Sequence, residues 1–218
     1  MDKVKITSSE FLKTREEFVT DWLREAILTG EIKPGEKLDQ KEISELLQVS
    51  RSPVREAIRV LASEGLLELI PHRGSVVANL SDEEFEEIYF IRKILEGTAT
   101  SLAAEMMTAD RLARLDSLAE ELDQTEDLDN WLELNREFHN TIYQVINRPR
   151  LVSIIENLRN SAAPFIRHFV DTVEGRKIAQ ESHRRIIAAC QQRNGLLAQI
   201  ETERHLEEVC QGFLARKK

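Results

Sequence analysis

Thirteen residues hold all the strong chain-breaking chemistry of this 218-residue sequence, 8 glycines and 5 prolines, and seven of them crowd in before residue 80: Gly30, Pro34, Gly35, Pro53, Gly65, Pro71 and Gly74. An all-β sandwich needs a turn signal about every 8–12 residues, so this supply excludes it and favours long helices. The uneven placement also divides the chain. Residues 1–79 are densely punctuated, whereas the 139 that follow carry only six breakers. Charge changes at the same place: 12 basic against 14 acidic side chains over 1–79, a net of −2, and 18 against 25 over 80–218, a net of −7. The acidity therefore belongs mainly to the second part and leaves room for a local basic face in the first. Two domains are expected, 1–79 and 80–218, and 41% hydrophobic residues suffice to build their cores.

In the first part, Phe11, Arg15, Phe18, Val19, Trp22, Ala26 and Ile27 recur at helical spacing until Gly30. After the turn Pro34-Gly35 a short helix is expected over about 41–47, then a second whose N-cap is Ser52, with Pro53 at its first position. Gly65 ends it. The stretches 66–70 and 75–78 read as two short strands around the turn Pro71-His72-Arg73-Gly74. Helix, helix, helix, hairpin is the order of a winged helix-turn-helix, whose second short helix can lie in a DNA major groove.

The side chains agree with that assignment. Arg51, Arg55 and Arg59 are spaced by four, forming a basic ridge opposite the apolar Val54, Ile58 and Leu61. A guanidinium can bind guanine O6 and N7 bidentately, and Ser50 and Ser52 add hydroxyls at the amino end of the helix, where exposed N–H groups favour phosphate. Three arginines at helical spacing are also what a solvated face looks like. The hairpin tip tilts the balance, because His72-Arg73-Gly74 sets cationic chemistry beside a glycine that allows close backbone approach.

The second part opens on Ser81-Asp82-Glu83-Glu84, a capping-box pattern, and continues at helical spacing through Phe85, Ile88, Ile91, Leu95, Leu102 and Met106. Further helical patterns cover about 109–124, 127–147, 150–170, 176–193 and 196–215, with breaks near Thr125, Pro149, Gly175 and Asn194-Gly195. Six or seven helices make a mainly α chain whose second part is an antiparallel bundle. Three histidines fall where such a bundle can gather them. Asn135 and His139 share a helix face, and His183 and His205 stand on two consecutive helices. Three neutral imidazoles and one oxygen suit a divalent transition metal, although a histidine on a part-apolar face is more often hydrogen-bonded in place. Arg92 and Glu96, also four apart, read from spacing as a helix-surface salt bridge.

Lys41-Glu42-Ile43-Ser44-Glu45-Leu46-Leu47, Val49 through Ile58, Leu61, Glu64-Gly65-Leu66 and His72-Arg73-Gly74 together resemble the GntR family of bacterial winged-helix repressors. The resemblance implies that Lys41, Arg51, Arg55 and Gly74 bear on operator DNA, with Ser50 and Ser52 nearby. Lys41 departs from the arginine of many relatives, and its point-charge ammonium suits phosphate better than guanine. The second part resembles the FCD domain of the FadR-like branch, whose Asp/Asn-x-x-x-His…His…His metal pattern is matched by Asn135, His139, His183 and His205. It implies a divalent metal, zinc or nickel, and an effector-binding role for Arg92 toward a carboxylate. Asn135 replaces the aspartate of many relatives, so the ion keeps its full +2 charge. His168 has no place in the pattern.

A metabolite-responsive transcription regulator follows as the expectation, a repressor that binds a palindromic operator as a homodimer, with a small organic acid as effector; release on ligand binding is the commoner behaviour in the family it resembles. Two other classes stand beside it, a metalloenzyme in the bundle and a ligand-independent architectural DNA binder. No Glu-x-x-His occurs, which removes the helical di-iron signature and leaves catalysis without a named base. No apolar run reaches the roughly 20 residues of a membrane span, and residues 1–5 lead into no signal-type apolar core, so a cytoplasmic location is expected. Cys190 and Cys210 lie among apolar helical neighbours and read as reduced core thiols.

Overall fold

The computed structural model describes residues 14–72 and 74–215. Phe11, in the first helical pattern, and Arg73, at the hairpin tip, lie outside the described residues. The chain divides into two compact units between Asn79 and Leu80.

The first unit begins with α1, Arg15–Leu28, closed by a capping box in which the Thr14 hydroxyl accepts from the Glu17 backbone N–H and the Glu17 carboxylate accepts from the Thr14 N–H. Its buried side carries Val19, Leu23, Ala26 and Ile27. Next come β1, Lys37–Leu38; α2, Gln40–Leu46; α3, Arg51–Ser63; β2, Leu67–Ile70; and β3, Gly74–Val77. The expected hairpin β2–β3 is present, and β1 completes an antiparallel sheet in the order β1-β3-β2, with Lys37 opposite Val76 and Leu69 opposite Ser75. Two residues are too few to show a period, which is why β1 escapes a sequence reading.

The start of α3 differs from expectation. Ser50, not Ser52, is the N-cap, Arg51 is the first helical residue and Pro53 the third. Proline lacks an N–H that no residue of the first turn can use within the helix, so it marks that turn without fixing its first position. Val54, Ala57, Ile58 and Leu61 are buried against α1 residues Val19, Leu23 and Ile27 in one apolar cluster. Gly65, at φ +75°, then turns the chain into β2.

The second unit is wholly helical among its described residues: α4, Asp82–Met106; α5, Ala109–Gln124; α6, Leu128–Tyr143; α7, Pro149–Val170; α8, Val173–Gln191; and α9, Gly195–Leu214. The Ser81/Glu84 capping box forms as its pattern predicts. Gly175, expected as a break, lies inside α8. The interruption falls at Asp171–Thr172, where the Thr172 hydroxyl accepts from the Gly175 N–H as N-cap. A Cβ on Gly175 would sit 2.2 Å from the Phe169 carbonyl oxygen, so this glycine serves a close backbone approach and not a chain reversal. One contiguous core joins the six helices, with Phe85, Tyr89, Trp131, Phe138, Tyr143 and Phe169 fully buried. Cys190 and Cys210 are buried free thiols, each pushed up to about 11 by burial and thus protonated at neutral pH.

Candidate nucleic-acid interface and metal centre

On α3 the three arginines occupy the exposed face that the spacing predicts, but they are not equivalent. Glu56 stands between two of them, accepting from Arg59 Nη1 at 3.1 Å and from Arg55 Nε at 3.3 Å. The hydrogen bond from Arg59 leads the causes that hold its carboxyl below the usual range. Arg51 has no ion-pair or hydrogen-bond partner among the described residues, and it projects from the first turn of the helix. Ser50 caps that helix without a side-chain hydrogen bond, leaving its hydroxyl available, and Ser52 is exposed beside it. Lys41, in the first turn of α2, is exposed and makes only a loose contact with Glu45 at 3.8 Å.

At the wing, His72 and Gly74 are both exposed and both have positive φ, +63° and +91°. A non-glycine in that region is uncommon, and glycine beside it lets the hairpin reverse tightly. A Cβ on Gly74 would lie 3.7 Å from Lys37 Cε. Lys37, exposed on β1, therefore adds an ammonium stem beside the wing, a cation that sequence reading missed because β1 itself was invisible.

In the second unit α6, α8 and α9 bring His139, His183 and His205 together. One ligand atom from each lies within 4.8 Å of the others, and all three side chains are buried. Burial, the largest cause, drives their pKa values down, His205 to about 3, with the positive charge of Arg159 contributing at each ring. The imidazoles are accordingly neutral and keep a lone pair. At His205 a neighbouring hydroxyl selects the tautomer. Ser182 Oγ donates to the Ala179 carbonyl at 2.7 Å, so at 2.6 Å from His205 Nδ1 it accepts that ring's proton. The Ser182 contact leaves Nε2 of His205 as the free donor atom. The Tyr143 hydroxyl donates to Glu96 at 2.5 Å and lies 3.5 Å from His139 Nδ1, too far to fix that ring's tautomer.

His183 supplies the sharpest observation. Its ring stacks on Phe138 at 4.2 Å, it is fully buried, and neither ring nitrogen has a hydrogen-bond partner among the described residues. A buried unsatisfied polar atom costs about 1–3 kcal/mol. A metal ion on Nε2 removes that penalty at one nitrogen, so the residues fit the ion that this donor set suits. Asn135 lies one helical turn before His139, half-buried on α6. His168 is exposed and apart from the cluster, its ring 6.5 Å from that of Phe213.

Arg92 and Glu96 are not a surface pair. Their side chains are 4% and 0% exposed, joined by Arg92 Nε donating to Glu96 Oε1 at 2.6 Å. Glu96 also accepts from Tyr143 and, at 3.5 Å, from Arg159 Nη1 of α7. Arg92 lies over the Tyr89 ring at 4.6 Å, and its Nη1 is buried without a hydrogen-bond partner among the described residues. Sequence reading missed Arg159, Tyr143 and Ser182. Tyr143 stands four residues after His139, a spacing that would have found it. Arg159 offers no such signal.

Comparison with known proteins accounts for both units. Residues 15–77 match the family described as bacterial regulatory proteins, gntR family, and residues 87–208 match the FCD domain. The chain is 31% identical over 190 residues to the HTH-type transcriptional repressor RspR of Escherichia coli K12, covering 86% of this chain and 83% of that protein. It is 29% identical over 195 residues to the HTH-type transcriptional regulator YdhC of Bacillus subtilis, covering 87% and 86%. The solved structure of E. coli McbR/YncC superposes with a TM-score of 0.83 at 27% identity, covering 95% of this chain and all of the other.

Proposed function

Since the chain belongs to the GntR family of bacterial regulatory proteins and carries the FCD domain, and is thus a DNA-binding transcriptional regulator and not an enzyme, we propose that it is a metabolite-responsive repressor. Residues 1–79 bind a palindromic operator as part of a homodimer, and residues 80–218 sense a small organic acid. His139, His183 and His205 hold a divalent transition metal, zinc or nickel, with Asn135 as oxygen ligand and Arg92 facing the effector. The relative RspR is a transcriptional repressor, which supports the sign of regulation.

The observation that carries the sensing role is the buried His183 with both nitrogens unpartnered, in a cluster next to a buried arginine that keeps a donor free. When bound, the ion supplies a Lewis-acidic attachment point for a carboxylate. Everything else falls to the chain: Ser182 orients the His205 ring, Glu96 holds Arg92 in place, and burial excludes competing water. Glu96 itself is committed to two arginines and a tyrosine and has no proton-transfer duty.

On the DNA side, Arg51 has its guanidinium unengaged and suits base-edge recognition, with Arg55 and Arg59 along the same ridge. Lys41, Ser50, Ser52, His72, Gly74 and Arg73 suit the phosphate backbone around it. An effector changes operator affinity only by preferring one of two states of the protein, and by linkage operator binding then changes effector affinity equally. The test is operator binding by untagged protein, with and without metal, across a panel of small carboxylic acids. The expected result is an affinity change that requires both acid and metal. Operator affinity indifferent to every acid at full metal content would overturn the sensing role.

A further inference from the structure

We infer that Arg159 makes the sensing site selective for dicarboxylates, by offering a second guanidinium to an acid whose first carboxylate is held by Arg92 and the metal-binding histidines. This selectivity rests on the acid-sensing role proposed above and specifies its ligand class.

Two observations carry it. Arg92 is held firmly by Glu96 yet keeps a buried Nη1 with no acceptor among the described residues, so one anionic oxygen is wanted there. Arg159 approaches the same carboxylate from α7 with a single Nη1 contact of 3.5 Å, beyond the usual range for a charge-assisted hydrogen bond, and its side chain is only 12% exposed. Glu96 thus serves one arginine well and the other poorly. Its two oxygens are already taken by Arg92 on one side and by Tyr143 on the other.

Charge balance points the same way. Arg92 and Arg159 face a single carboxylate, Glu96, which leaves one positive charge uncompensated, and a divalent ion would raise it to three. Burying unpaired charge is costly. A monocarboxylate leaves two positive charges, whereas a dicarboxylate leaves one and gives each guanidinium an oxygen of its own. Arg159 reaches the same Glu96 oxygen that accepts from Tyr143, whose hydroxyl lies 3.5 Å from His139 Nδ1, which places it beside the cluster and not on a remote surface.

The test uses full-length, metal-loaded protein and acids paired to share a metal-binding end while differing by one carboxylate: malate against 2-hydroxybutyrate, and 2-oxoglutarate against 2-oxopentanoate. Calorimetry should show a preference for the diacid of about tenfold or more in at least one pair. Arg159→Gln should reduce that ratio to about threefold or less, mainly by weakening the diacid, with metal content unchanged. Arg159→Lys should retain an intermediate preference, which separates charge from folding. Equal binding within both pairs, or a diacid preference that survives Arg159→Gln, overturns the selectivity while acid sensing stands. If none of the four acids binds fully metal-loaded wild-type protein, both the selectivity and the sensing role fail.

Discussion

Ser182 Oγ and His205 Nδ1 lie 2.6 Å apart between α8 and α9, and the hydroxyl is already donating to the backbone of its own helix. That leaves it one role toward the histidine, as acceptor, and turns the unprotonated Nε2 into the cluster. Ser182→Ala should therefore preserve the fold yet lower metal affinity by about 10–100-fold, the usual effect of removing a group that orients a metal-binding histidine. Competition against a chelator of known affinity measures it. An affinity unchanged from wild type would mean that His205 does not coordinate through Nε2.

Arg51→Ala should cost about 1–3 kcal/mol on the specific operator and much less on random duplex, because a bidentate base contact is lost. Lys37→Ala and Lys41→Ala should instead weaken both duplexes alike and reduce the salt slope by about 1 each, as phosphate contacts do. Fluorescence anisotropy over a salt series distinguishes the patterns. Equal losses on both duplexes for Arg51→Ala would assign it to the backbone.

Glu56 engages the guanidiniums of Arg55 and Arg59 in the free protein. Those exposed contacts contribute little to stability and must loosen if both arginines turn to DNA. Glu56→Gln should leave the melting temperature within a few degrees while tightening binding to random duplex and steepening its salt dependence. Unchanged or weaker nonspecific binding would show that Glu56 positions the ridge instead of competing with phosphate.

Burial alone would raise the Glu96 carboxyl, but the charges of Arg92 and Arg159 and its hydrogen bonds outweigh that and hold it below its ordinary value. A carboxyl with a depressed folded-state pKa stabilises the fold above its unfolded pKa of about 4.3 and loses that contribution as pH falls through the lower folded value. Glu96→Gln should thus flatten the loss of stability below about pH 4. Arg92→Ala should cost about 3–5 kcal/mol at neutral pH, and Arg92→Met with Glu96→Met together should cost less than Arg92→Ala alone, because no buried charge is stranded. Denaturant unfolding across pH checks both. A double substitution costlier than either single one would mean that Glu96 matters for Arg159 and Tyr143 more than for Arg92.

Much of this protein is written in local pattern. Apolar spacing, the Ser81/Glu84 capping box and Gly65 locate most helices and the hairpin, because periodicity and caps act within a few residues of one chain segment. The α3 arginine ridge is legible for the same reason, being a spacing on a single helix. Legibility fails where meaning depends on a neighbour far along the chain. Gly175 reads as a break until the Phe169 carbonyl is seen against it, and Lys37 is one lysine among many until β1 pairs with β3 beside the wing. Spacing gives Arg92 and Glu96 as a surface pair, yet packing against Tyr89, Tyr143 and Arg159 buries them and turns a weak ion pair into a strongly coupled one. Arg159 acquires its significance only there, since no local rule records which charge α7 will bring to a carboxylate 63 residues away.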